Sequence, residues 1–190
     1  VLDSPHAAAA AELEAYASTS FPPGRPLLEA VHDLMARVHH DFTYDTGFST
    51  VSTPLSEVLA SRRGVCQDFA HLAIASLRSL GLAARYVSGY IETEPPPGQH
   101  KQPGTDESQA WFSVYLPDLG WHDFDPTNNQ IPLDRHITTA WGRDYADVTP
   151  LKGVIFGGDH GRQPQVAVDL ERMPEPGETA AAATGSAPSM

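Results

Sequence analysis

The sequence predicts an α+β protein in which helices come first and an antiparallel β-sheet follows. From residue 66 to residue 80 apolar side chains recur at helical spacing, and Gly81 stands where such a helix would end. Three later segments have the aromatic and β-branched content of strands: 82–91, 109–116 and 121–125. The last two are joined by a tight turn at 117–120, which makes them a hairpin. We therefore expect a buried helix packed on an antiparallel sheet.

Three further helices are predicted before the buried one. Residues 7–17 are rich in alanine, and residues 27–42 keep one face apolar, as a helix packed on a core does. The third helix is expected to start with Thr53 as its N-cap and Pro54 at the first helical position, and to end near residue 62. Between the second and third helices, residues 42–44 are short and β-prone.

The rest of the chain is less regular. Residues 92–108 are polar and rich in Pro and Gly, which predicts a surface loop. Residues 140–148 are expected to form a semi-regular stretch, and residues 165–170 alternate as a final strand would. We divide the chain into an N-terminal helical segment (1–20), a folded domain (21–172) and a disordered tail (173–190).

Composition excludes some classes of function. The formal charge of −12 and pI near 5.0 predict neither a nucleic acid nor an anionic membrane as a partner. No apolar run approaches membrane-spanning length and no export signal is visible, so a cytoplasmic location is expected. Three histidines on or beside the second helix point in different directions, so we expect surface histidines there and no metal site: His32, His39 and His40.

The only cysteine of the chain, Cys66, opens the predicted buried helix. Backbone N–H groups without partners and the positive end of the helix dipole collect there, and both favour a thiolate. A nucleophile with a lowered pKa is one interpretation. A small buried apolar residue is the other, because free cysteine is among the most buried residue types.

Several motifs of this chain resemble those of the transglutaminase-like superfamily, in particular its bacterial cysteine-protease-like branch. The segment GVCQDFA at 64–70 resembles the nucleophile motif of this branch. The segments YVSGY at 86–90, GW at 120–121 with FDPTN at 124–128, and GRDYADVTP at 142–150 resemble its later blocks. Together they span about residues 20 to 170. The resemblance implies a papain-like core with N-terminal helices, one of them bearing the cysteine, packed on an antiparallel sheet. Members of this branch commonly carry a β-rich domain before the core, and the chain contains no counterpart of it.

The resemblance also implies a site. In the family a cysteine attacks an amide carbonyl, a histidine moves the proton and an acid orients the histidine. Cysteine and acid correspond to Cys66 and Asp125, but Gln109 stands where the histidine belongs. Substrate-binding roles are expected for Gln67, Tyr90 and Trp111. The chemistry would use side chains alone, so no metal or cofactor is expected.

Gln109 decides which functions the sequence supports. A carboxamide has no proton to give near neutral pH and no basic nitrogen, so we expect amide hydrolysis to fall by about 10³-fold or more. We do not expect His71, His100 or His122 to replace the missing base. The expected ligand is a peptide or an amide-bearing or acyl-bearing small molecule.

Several functions remain open on this basis. The chain is predicted to be a cysteine amidase, peptidase or acyl transferase that works through a thioester on Cys66 and is impaired for amide hydrolysis. Alternatives are a catalytically inactive pseudoenzyme or peptide-binding module, and an engineered His-to-Gln variant of an active enzyme.

Overall fold

The computed structural model describes residues 4–93, 98, 107–149 and 167–173. Within them five helices and six strands follow one another along the chain: α1 (Ala11–Ser18), α2 (Leu27–Asp41), β1 (Thr43–Tyr44), α3 (Leu55–Ser61), β2 (Arg63–Gly64), α4 (Cys66–Ser79), β3 (Ala84–Ile91), β4 (Glu107–Leu116), β5 (Gly120–Phe124), β6 (His136–Gly142) and α5 (Tyr145–Val148). This order of helices and strands confirms the predicted α+β class.

Helix α4 is the centre of the core. Its side chains from residue 68 to residue 78 are buried, and Leu72, Ile74 and Leu77 are completely inaccessible. Helices α1, α2 and α3 and strands β3 and β4 all contact α4, so every turn of this helix removes apolar surface from water. The helix ends as predicted, because Gly81 takes a φ of +77°, a conformation that glycine adopts at little cost.

Strands β3 to β6 form one antiparallel sheet in the order β5-β4-β3-β6. Partners in antiparallel strands share a face, so the register divides the side chains into two sets. Ala110, Phe112 and Phe124 belong to the buried core that includes α4. Residues Gln109, Trp111 and their cross-strand partners form the opposite side, which we call the outer face. Strands β1 and β2 form a separate parallel pair.

Three sequence-based predictions about elements were wrong. The stretch 140–148 was expected to be semi-regular, but its first part belongs to strand β6, which starts at His136, and helix α5 follows. Residues 167–170 form no strand, and residues 165–166 lie outside the described part. Helix α3 begins one residue later than predicted: Pro54 is its N-cap, and the Thr53 hydroxyl accepts a hydrogen bond from the Thr50 N–H.

The remaining elements lie close to their predicted positions. Helix α2 and strands β1, β3, β4 and β5 match within two residues, whereas α1 starts at residue 11, four residues later than predicted. Most of the predicted loop 92–108 and residues 174–190 of the predicted tail lie outside the described residues. In the described part of the chain, no helix combines the length and the apolar character needed to cross a membrane.

The close packing of the outer face predicts a large effect for Gly89→Ala. A Cβ at this position would overlap the Ile137 carbonyl oxygen and the Trp111 ring. Because a backbone oxygen cannot move away independently, we expect the free energy of unfolding to fall by about 2 kcal/mol. Urea unfolding measures it. In the control variant Gly47→Ala, the new Cβ lies 3.5 Å from the nearest atom, and we expect almost no change. Equal stability of the two variants would contradict the prediction.

Candidate active site

The sequence around Cys66 forms a tight turn into α4. Gly64 passes so close to Asp68 that a Cβ at position 64 would lie 2.9 Å from the Asp68 Cβ. The Val65 N–H donates to the Asp68 carboxylate over 2.8 Å, and the Ser49 hydroxyl donates to the same oxygen. Asp68, three residues after Val65, thus satisfies with its carboxylate an N–H group at the start of the helix. Glycine and aspartate therefore occur at this spacing for a structural reason.

The Cys66 sulfur lies at the open edge of strand β4. Strand β5 pairs with β4 only as far as Phe112 opposite Phe124, and the chain then turns away. The N–H groups of Ala110 and Gln67 hydrogen bond the Cys66 sulfur in the space beyond. Because the Ala110 nitrogen is bonded to the carbonyl carbon of Gln109, the side chain at position 109 starts beside the sulfur.

Burial raises the pKa of the Cys66 thiol to about 11. The hydrogen bonds from Ala110 and Gln67 oppose this change, whereas the negative charges of Asp125 and Asp68 reinforce it. The prediction that the helix start lowers this pKa was therefore wrong, because desolvation outweighs the N–H groups. The thiol is half-buried and carries its proton at neutral pH.

Asp125 follows β5 and is completely buried. One carboxylate oxygen accepts from the N–H groups of Thr127 and Asn128, at 2.9 and 3.1 Å. The other accepts from the Asn128 side-chain amide at 2.7 Å and from the His136 Nε2 at 3.0 Å. All its accepting positions are thus occupied, so the acid holds residues 127, 128 and 136 in place.

His136 is the residue that sequence reasoning missed. Its side chain is 3% exposed and stands edge-on against Trp111, with ring centroids 5.2 Å apart. It reaches Asp125 from β6, at the other edge of the sheet, across the outer face. Its only sequence signal is the β-prone run 136–141, which identifies a strand but says nothing about a partner 11 residues earlier.

Gln109 is buried and lines a cleft of about 330 Å³. Among the described residues, the cleft is formed by Tyr44, Ile91, Thr93, Gln109, Thr127, Asn128 and Arg135. No hydrogen bond joins Gln109 to Cys66 or Asp125 in this part of the chain, although the residue type would allow both. The Thr127 hydroxyl is buried and has no partner among the described residues. Within the described part of the chain, the Thr127 hydroxyl therefore has hydrogen-bonding capacity to spare.

The three residues expected to bind substrate occupy different environments. Gln67 is half-buried, and its N–H contacts the sulfur. Tyr90 is half-buried in β3, opposite Ser108 and Ile137. Trp111 is fully buried and donates its indole N–H to Asp123 over 3.0 Å, so it packs beneath the site and does not line the cleft.

In the described part of the chain, the hydrogen bonds of the other histidines do not involve position 109. His71 is buried and accepts from the Tyr145 N–H over 3.1 Å. His122 is exposed and contacts the Gly120 carbonyl, and His100 lies outside the described residues. His39 contacts the Thr127 carbonyl over 2.9 Å. Within the described residues, no group of three or more potential ligands is arranged to hold a metal ion.

A cysteine that opens a central helix, an antiparallel sheet packed on that helix, and an acid after the second strand of the hairpin define a papain-like core. Residues 14–126 match the model of the transglutaminase-like superfamily. The chain belongs to this superfamily, whose fold is that of cysteine proteases and acyl transferases.

Relatives and solved structures agree with this assignment. An uncharacterized protein of Mycobacterium tuberculosis is 50% identical over 159 residues, which cover 82% of this chain and 51% of the relative. An uncharacterized protein of Mycobacterium leprae is 38% identical over 130 residues, which cover 68% of this chain and 45% of the relative. The chain thus spans about half the length of these curated relatives.

Among solved structures, one from Cytophaga hutchinsonii, described as "a putative cysteine protease", is similar with a TM-score of 0.64 and 28% identity. The similarity covers 86% of this chain and 53% of that one. The periplasmic domain of TgpA from Pseudomonas aeruginosa is similar with a TM-score of 0.51 and 23% identity, over 68% of this chain and 45% of that one. This similarity supports the fold and no more.

Proposed function

We propose that this domain binds an amide-containing chain, such as a peptide, in the cleft at Gln109 without appreciable hydrolysis. The observation that carries the proposal is the raised pKa of the Cys66 thiol, together with a carboxamide at position 109, the residue before Ala110, whose N–H contacts the sulfur. A nucleophile that keeps its proton needs a base nearby, and an amide side chain cannot act as one. The position that would activate the sulfur in a family enzyme therefore offers only hydrogen bonds.

The cleft has the chemistry to hold an amide. Gln109 and Asn128 each present a donor and an acceptor, the two groups that a peptide bond needs. The buried Thr127 hydroxyl supplies another group of either kind. A ligand amide would satisfy these groups.

Thiol labelling tests the catalytic half of this proposal. Because Cys66 is the only cysteine, a single iodoacetamide adduct in the intact mass reports on it alone. A pKa of about 11 predicts labelling at pH 7 slower than that of the urea-unfolded chain. The rate should rise about tenfold per pH unit between pH 7 and pH 10, because the thiolate fraction grows as pH approaches the pKa. Fast labelling that levels off below pH 7 would contradict the proposal.

Ligand binding is tested with a capped tripeptide, acetyl-Gly-Gln-Gly-amide. Titration into ¹⁵N-labelled protein should shift the side-chain amide signals of Gln109 and Asn128 in a saturable way. The variant Gln109→Ala should weaken binding by about tenfold, which is the effect of one or two hydrogen bonds. The matched change Gln130→Ala, which alters a described glutamine outside the cleft lining and keeps its backbone pairing with Asp125, should leave binding unchanged. Absence of saturable shifts, or hydrolysis of the tripeptide that depends on Cys66, would overturn the proposal.

A second candidate function is slow acyl transfer through a thioester on Cys66. The two N–H groups at the sulfur favour it, because donors in this position can also stabilise an oxyanion. A thioester substrate needs less acid assistance at its leaving group than an amide does. Incubation with an acyl thioester separates the two candidates: a stable mass increase lost in Cys66→Ala supports acyl transfer, and an unchanged mass supports the binding function.

A further inference from the structure

Away from the Cys66 site, the outer face of the sheet carries an arginine between two tryptophans. The guanidinium carbon of Arg85 lies 4.3 Å from the ring centroid of Trp121 and 4.9 Å from that of Trp141. The three side chains come from β3, from β6 beside it and from β5, which lies on the other side of β4. Two aromatic faces hold the plane of the guanidinium, so its orientation is set before any ligand arrives.

Among the described residues, none accepts a hydrogen bond from Arg85. Its Nε is buried and has no hydrogen-bond partner, and no described residue accepts from the other guanidinium nitrogens. Asp123 acts on Arg85 through its charge, but one of its carboxylate oxygens already accepts from the Trp111 indole. An unpaired donor of this kind costs free energy, and a ligand acceptor would recover it.

A cavity of about 480 Å³ opens beside this arginine. Its described lining consists mainly of three arginines and two tryptophans: Arg78, Arg85, Arg143, Trp121 and Trp141. The single carboxylate in the lining, Asp147, is bound by Arg143 over 2.9 Å. The cavity is thus locally positive in a chain of net charge −12, and the two tryptophans remain 42% and 60% exposed.

We propose that this cavity binds a carboxylate attached to a flat or apolar body. The carboxylate would accept two hydrogen bonds from Arg85, the geometry that a guanidinium offers best, and the body would pack on the exposed tryptophan faces. The cavity has the size of a small-molecule site. Arg85 and Gly89, the partner of Gln109, are four residues apart in β3, about 13 Å along the strand, so this site is independent of the proposed cleft function.

Tryptophan fluorescence tests this proposal, because two of the three tryptophans line the cavity. With 3-phenylpropionate we expect saturable quenching and a Kd on the order of 1 mM, as befits a ligand of this size. Its neutral counterpart, 3-phenylpropionamide, should bind at least tenfold more weakly. The peptides acetyl-Gly-Phe and acetyl-Gly-Phe-amide test whether the carboxylate belongs to a small molecule or to a peptide C-terminus. If acetyl-Gly-Phe binds more tightly than both its amide and 3-phenylpropionate, the ligand is a peptide C-terminus.

Variants locate the binding. Arg85→Gln should weaken 3-phenylpropionate binding by at least tenfold, and Arg85→Lys should also weaken it because the planar fork is lost. The matched control is Arg172→Gln, which removes an exposed arginine outside the cavity and should change nothing. Each variant is checked by its thermal midpoint. If Arg85→Gln fails to fold, the acid and amide probes on the unchanged protein decide.

Four outcomes would overturn the proposal. The first three are the absence of saturable quenching up to 20 mM, equal binding of acid and amide, and unchanged binding in a folded Arg85→Gln variant. Displacement of 3-phenylpropionate by inorganic phosphate at equal concentration would also overturn it. The site would then bind any anion by its charge, without recognising a carboxylate attached to an apolar group. Since the readout does not involve Cys66 or Gln109, a negative result leaves the proposed cleft function unaffected.

Discussion

Replacing Gln109 by histidine is expected to raise the rate of Cys66 alkylation at pH 7 by about 100-fold. With a pKa of about 11, about one thiol in 10⁴ is ionised at this pH. An imidazolium at position 109 would lie beside the sulfur and stabilise the thiolate, which lowers the thiol pKa by several units in cysteine–histidine pairs. Mass spectrometry of iodoacetamide adducts between pH 5 and pH 10 measures both the rate and the pKa.

The control for this prediction is Gln109→Asn, which keeps a neutral amide and should remain as slow as the unchanged protein. The readout is specific because the chain contains one cysteine. If the folded Gln109→His variant labels no faster than Gln109→Asn, then burial and the charges of Asp125 and Asp68 determine the state of the thiol by themselves. The residue at position 109 would in that case not explain the unreactive sulfur.

Replacing Asp125 by alanine is expected to lower the free energy of unfolding by about 4 kcal/mol. The change removes the acceptors of four hydrogen bonds at a fully buried position. The donors, from Thr127, Asn128 and His136, would be left without partners, and each unsatisfied buried group costs about 1–3 kcal/mol before relaxation. Urea unfolding at pH 7, followed by circular dichroism, measures the loss.

The matched variant is Asp125→Asn, which retains one oxygen for the two backbone N–H groups. Because neutral His136 can accept at Nε2 in its other tautomer, it can pair with the new amide, and only the Asn128 side chain loses its partner. We expect a loss of about 1–2 kcal/mol for this variant. An alanine variant within 1 kcal/mol of the unchanged protein would show that Asp125 does not hold the 126–136 segment against the sheet.

Local patterns were sufficient to predict most of the elements. The helix that opens with Cys66, its end at Gly81 and the hairpin up to Phe124 all lie within about two residues of their predicted positions. Their signals are short-range: apolar spacing, turn residues and alternation along a strand. Strand β6 was missed because its alternation is interrupted by the bulge opposite Ser88 and Gly89, which shifts the register within the strand.

The sequence predicted Cys66, Gln109 and Asp125 as the residues of the site, because each lies within a motif that resembles one of the family. It could not predict their chemical state. The pKa of the thiol depends on how much water the surrounding chain excludes, and the partner of Asp125 comes from the opposite edge of the sheet. Desolvation and contacts between distant strands are properties of the packed molecule, so only the tertiary structure decides them.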